Sequence, residues 1–140
     1  MVGYTLGDGT WRAVWNHWDG HTQHLGRWII GQIKKGKGDL SAFCAQRIDV
    51  CPEGWSSLAK DERSDEHVGF LAGAFDGVIA RCDATANPLC FDAHFLYLIH
   101  APKRRLYVFE VADGPMRPFG MITFDAVGQS TPRALPKTDE

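Results

Sequence analysis

Residues 10–36, TWRAVWNHWDGHTQHLGRWIIGQIKKG, change their hydrophobic period part-way along, and that change decides the fold class. Trp11, Ala13 and Trp15 alternate with other residues, the period of a strand with one heavily aromatic face. Beyond His17-Trp18-Asp19-Gly20 the apolar residues fall at Leu25, Trp28, Ile29 and Ile33, which is the spacing of one helical face. A strand therefore passes through a short polar loop into a helix predicted from Thr22 to Gly36. Thr22 suits the first free amides, Lys34 and Lys35 suit the negative end, and Gly36 suits a left-handed exit. Gly26 and Gly31 each cost up to ~1 kcal/mol against alanine, which a close approach to a sheet would explain.

Working outward, Val2 to Leu6 and Thr10 to Asn16 flank Gly7-Asp8-Gly9, a hairpin turn rich in residues that accept positive φ. Towards the other end, Phe95 to His100 and Leu106 to Val111 are aromatic and β-branched runs joined by the polar loop Ala101-Pro102-Lys103-Arg104-Arg105. A third strand is predicted from Met121 to Val127. From Lys37 to Asp92 the pattern is weaker. Asp39-Leu40-Ser41 fits the start of a short turn or helix, Pro52-Glu53-Gly54 is a turn, and Lys60 to Glu66 is a charged loop. Val68 to Arg81, with Gly69, Gly73 and Gly77, fits either a loose helix or a strand pair. The expected fold is α+β, an antiparallel sheet of hairpins with one main helix packed on a face. Residues 1–128 form one domain, and the Ser, Thr, Pro and Lys of 129–140 read as a flexible tail.

Composition narrows the function classes. The chain has 140 residues, 44% hydrophobic and 23% charged, the mixture of a globular domain with its own core. Its 15 basic and 17 acidic residues leave a formal charge of −2, so nucleic acid is not a favoured partner. The opening residues lack a signal-peptide pattern and no run is long enough to span a bilayer, so a cytoplasmic location without membrane contact is expected. Cys44, Cys51, Cys82 and Cys90 match no zinc or disulfide spacing and read as reduced, buried thiols.

The loop holds the most unusual side chains. His17, His21 and His24 with Asp19 allow ligands within reach of one divalent ion, but the spacing is not that of an established metal site, and no metal or cofactor is assigned. The helix start favours an anion. His17 and His21 could supplement it, Arg27 lies one turn on, and Trp18 could stack on a flat ring. Two other readings compete. His17 could act as acid or base with Asp19 or Asp39 orienting its ring, in a small hydrolase or transferase. Alternatively the motif is purely architectural.

Trp15-Asn16-His17-Trp18-Asp19-Gly20 resembles the Y-x-H-W-D-G-Y-P motif of an uncharacterised family of small proteins from tailed bacteriophages, prophages and actinobacteria. His21-Thr22 stand where that family has Tyr-Pro, and Gly26 where it often has glycine. Gly38-Asp39-Leu40-Ser41 is similar to its G-D-L-S landmark, and the hairpin around Phe95–Ile99 and Leu106–Val108 to its closing hairpin. The resemblance covers the first 41 residues and 91–111. It implies a phage-related, cytoplasmic setting and marks His17, Trp18, Asp19, Gly20 and Asp39, with no reaction attached. The expectation is a non-catalytic binding protein that engages a host protein or a small anionic ligand through His17, Trp18, Asp19, Gly20, His21, Arg27 and Asp39.

Overall fold

Aromatic and β-branched residues on alternate positions set the sheet, and its strand order sets where the loops meet. The computed structural model describes residues 1–18, 20–83, 85–125 and, as backbone, 130–133. Strands β1 (Val2–Thr5) and β2 (Thr10–Val14) form the predicted hairpin. A π-helical turn over Thr22–Gly26 leads into helix α1 (Arg27–Lys35), and helix α2 (Leu40–Cys44) continues as a second π-helical turn to Asp49. Short strands β3 (Trp55–Ser57) and β4 (Glu62–Arg63) pair as a separate ribbon. Then come β5 (Leu71–Phe75), β6 (Ala80–Cys82), a 3₁₀ turn over Pro88–Asp92, β7 (Phe95–His100), β8 (Arg105–Glu110), β9 (Arg117–Phe124) and β10 (Ser130–Arg133).

Among the described residues the main sheet has eight strands in the order β10-β9-β8-β7-β1-β2-β5-β6. Every pairing is antiparallel except β1 with β7, where Val2 lies opposite Tyr97. That parallel pair corrects the expectation of an all-antiparallel sheet. It joins the N-terminal and C-terminal hairpins side by side and starts both strands at one edge. The single main helix is also corrected, because Leu40, Phe43, Cys44 and Ile48 build a second helical run buried beside α1. The glycine-rich segment before Arg81 is the strand pair β5–β6, and the last long strand begins at Arg117, ahead of the predicted Met121. β10 extends the sheet to Arg133, while residues 126–129 and 134–140 lie outside the described residues.

The sheet has a core on each face. On one, Val2, Tyr97 and Ile99 pack beneath Leu25, Ile29 and Ile33, the predicted helical face. On the other, Trp11, Leu71, Leu98 and Phe109 cluster inside a curl that draws the two sides of the sheet together. Met116, just ahead of β9, donates its N–H to the Ala80 carbonyl of β6 at 2.9 Å. Among the described residues no helix is long and apolar enough to cross a membrane.

The helix ends differ from expectation. The N-cap is His21, not Thr22, and no side chain caps there. Gly36 keeps a negative φ of −81°, and the left-handed exit falls on Lys37 and Gly38, whose N–H returns to the Ile33 carbonyl at 2.9 Å. Gly26 is where the sheet comes close, since a Cβ there would stand 3.3 Å from the Tyr97 ring; Gly31 faces open space and has no such reason.

The basic hairpin tip, expected as a solvated loop, is partly a latch. Arg104 donates from Nε to the Phe124 carbonyl (3.1 Å) and from Nη2 to those of Gly38 (2.9 Å) and Asp125 (2.5 Å). One guanidinium thus ties the β7–β8 turn to the end of β9 and to the helix connection. Arg104→Ala is expected to lower stability by about 2–3 kcal/mol, because hydrogen bonds from charged donors each contribute more than neutral ones. Urea denaturation measures this, and a loss below about 0.5 kcal/mol would mean that water replaces those bonds.

Candidate functional site

After Val14 the chain stays extended and runs parallel to residues 55–58. Trp55 N–H donates to the Trp15 carbonyl (2.7 Å), His17 N–H to that of Trp55 (2.9 Å), and Trp18 N–H to that of Ser56 (2.7 Å). Asn16 braces the loop from within: its Nδ2 donates to the Trp18 carbonyl (2.5 Å) and its Oδ1 accepts from Leu58 N–H (2.7 Å). At 8% exposure it supplies bonds to backbone groups that would be costly to leave unpaired. Tyr97 completes the frame by donating its hydroxyl to the Gly20 carbonyl at 2.5 Å, and burial pushes that phenol well above its ordinary range. The backbone of the loop is occupied with holding its shape, and the His17 and Trp18 side chains face solvent.

The other wall follows from the parallel strand pair. β1 and β7 begin at one edge, where β2 ends, because Val2 pairs with both Val14 and Tyr97. Residues just outside these strands therefore meet. The Met1 amino group donates to the Phe95 carbonyl at 2.8 Å, and burial pulls its pKa down to about 5. The 3₁₀ turn delivers Asp92, Ala93 and His94 to the same edge.

Between the two walls lies an open cavity of about 360 Å³. His17, Trp18, Gly20 and His21 line it from the loop, and Asp92, His94 and Phe95 from the β7 side. His17 and Trp18 meet edge to face with ring centres 4.4 Å apart, and His21 lies 6.3 Å from Phe95. Trp18 is 63% exposed, a large indole surface left to solvent at the mouth. Among the described residues the three imidazoles make no hydrogen bond.

No protein family, curated protein or solved structure matches the chain.

Four of the seven residues singled out in the sequence thus share one cavity. Asp19 lies outside the described residues. Arg27 lines a different, apolar groove on the helix face of the sheet. Asp39 lines a third hollow beside Arg104, and its carboxylate is engaged as the N-cap of α2, accepting from Ala42 N–H at 2.9 Å. Among the described residues the carboxylate that shares the cavity with His17 is Asp92, which sequence reasoning missed along with His94. Both sit in Phe91-Asp92-Ala93-His94, a polar interruption just ahead of β7. Nothing local ties that stretch to His17. Among the described residues no three His, Cys, Asp or Glu side chains gather closely enough to hold one metal ion.

Of the cysteines, Cys44, Cys51 and Cys90 are buried and Cys82 is half-buried. Burial pushes the Cys44 thiol up to about 12 and the Cys51 thiol up to about 11, which disfavours the reactive thiolate in both.

Proposed function

We propose that this chain is a non-catalytic binding protein of the phage and prophage kind, whose His17 cavity takes a small anionic ligand bearing a flat ring, of the nucleotide-like class. The observation that carries the reading is the convergence of three imidazoles without hydrogen-bond partners among the described residues on one open cavity beside an exposed Trp18. Imidazole N–H groups donate to an anion's oxygens, an indole face stacks on a planar ring, and the Asp92 carboxylate accepts from a ring amino group. Each element of such a ligand has a counterpart on the wall. The likeness of Trp15 to Gly20 to the phage-family motif supports the setting.

The motif's architectural part and its binding part are separable in this reading. Asn16 and the backbone hold the loop, while among the described residues the His17 and Trp18 side chains make no hydrogen bond that does so. Isothermal titration with adenosine monophosphate tests the proposal. His17→Ala and Trp18→Ala should each weaken binding about fivefold or more, since a hydrogen bond to a charged group contributes about 1.5–3 kcal/mol and a base stacked on an aromatic ring ~1–3 kcal/mol. Both variants should melt close to the wild type, as surface substitutions commonly change stability by less than about 0.5 kcal/mol. Wild-type affinity retained in both variants, or no saturable binding to the wild type, would remove the proposal.

A further inference from the structure

We infer that the apolar groove between α1 and strands β8–β9 is a second binding site, for a free medium-chain fatty acid whose carboxylate pairs with Arg27. The groove holds about 280 Å³ and is walled by Ile30, Tyr97, Leu106, Val108, Met121 and Ile122. Arg27 is the one charged residue among its lining, and among the described residues its guanidinium has no hydrogen bond or ion pair.

The space exists for a local reason. The β8–β9 register shifts from Val108 opposite Gly120 to Phe109 opposite Pro118, so Phe119 bulges out of the pairing. Phe119 is 55% exposed, and its ring packs edge-on to Phe95 at 5.2 Å, at the rim of the groove. Gly120 then leaves a gap, since a Cβ there would meet no atom within 4 Å. On the opposite wall Gly26 keeps the helix close to Tyr97.

The lining selects the ligand. Carbon walls reward an aliphatic chain, each buried methylene raising affinity about fourfold. A lone guanidinium matches a carboxylate through two parallel N–H donors, would repel an ammonium, and gains less from an alcohol. At about 280 Å³ the groove falls just below the roughly 300–1,000 Å³ of small-molecule pockets, which suits a single chain of medium length.

Titration of the full chain with decanoate and with 1-decanol tests the inference. Wild type should bind decanoate at least ten times more tightly than 1-decanol, and Arg27→Gln should bring the two together. Gly120→Leu, which projects into open space, should abolish binding of both, while His17→Ala leaves decanoate binding unchanged and so keeps this site distinct from the His17 cavity. Should Gly120→Leu not fold, methyl NMR of the wild type replaces it, with decanoate expected to shift Ile30, Val108 and Ile122. Equal affinity for acid and alcohol in the wild type, decanoate binding that survives Gly120→Leu, or shifts scattered away from the groove would each overturn it.

Discussion

Trp55→Ala is expected to cost about 3–5 kcal/mol, the range for removing a buried tryptophan from a core that does not collapse around the void. Trp55 is 1% exposed, and its Nε1 donates to the Arg47 carbonyl at 2.9 Å. The guanidiniums of Arg47 and Arg63 lie over its ring at 6.0 and 5.7 Å. Truncation therefore opens a cavity, frees the Arg47 carbonyl and removes two cation–π contacts together. Trp55→Phe separates these effects, because it keeps much of the volume and loses the donor; about 1–3 kcal/mol follows from the unpaired carbonyl. The consequence reaches the cavity, since the Trp55 backbone pairs with Trp15 and His17. Denaturation midpoints and nucleotide titration should fall together in Trp55→Ala. A loss of under about 1 kcal/mol would mean that this ring does not anchor the loop.

The same residue marks the limit of what the sequence conveys. The first hairpin and the face made by Leu25, Ile29 and Ile33 are legible because their periodicity is local and each repeats within a few residues. Leu40, Phe43, Cys44 and Ile48 also have helical spacing, but over a run too short to stand out from the loops around it. The core of β5, Leu71-Ala72-Gly73-Ala74-Phe75, consists mostly of small residues that mark neither face, so its period is ambiguous. Least legible are pairings between distant segments. No local pattern announces that Val2 lies beside Tyr97, or that Trp55 runs beside Asn16. The loop half of the cavity could therefore be picked out, whereas Asp92 and His94 could not. Arg27 and Asp39 stand with His17 by nearness in sequence and by motif, yet α1 and the cap of α2 turn them towards other surfaces.

Gly73→Ala should be among the most damaging small substitutions in the chain. Gly73 sits opposite Trp11 in the β2–β5 pair and opposite Cys82 in the β5–β6 pair. A Cβ there would collide with the Arg81 carbonyl oxygen and with two carbons of the Trp11 indole. Neither obstacle moves cheaply. The carbonyl belongs to a paired strand, and the indole is fully buried with its Nε1 donating to the Ala74 carbonyl at 3.1 Å. Forcing a methyl into such packing costs about 1–3 kcal/mol and occasionally more; with backbone among the atoms struck, the upper end or beyond is expected. A double-mutant cycle with Trp11→Leu tests the cause. Trp11→Leu alone should destabilise by opening a void, but it removes the indole, so adding Gly73→Ala should then cost less than in the wild type. A remainder should persist, since the Arg81 carbonyl still blocks the methyl. Strict additivity would show that the indole is not what excludes a side chain at position 73, and that backbone crowding alone makes this strand require glycine.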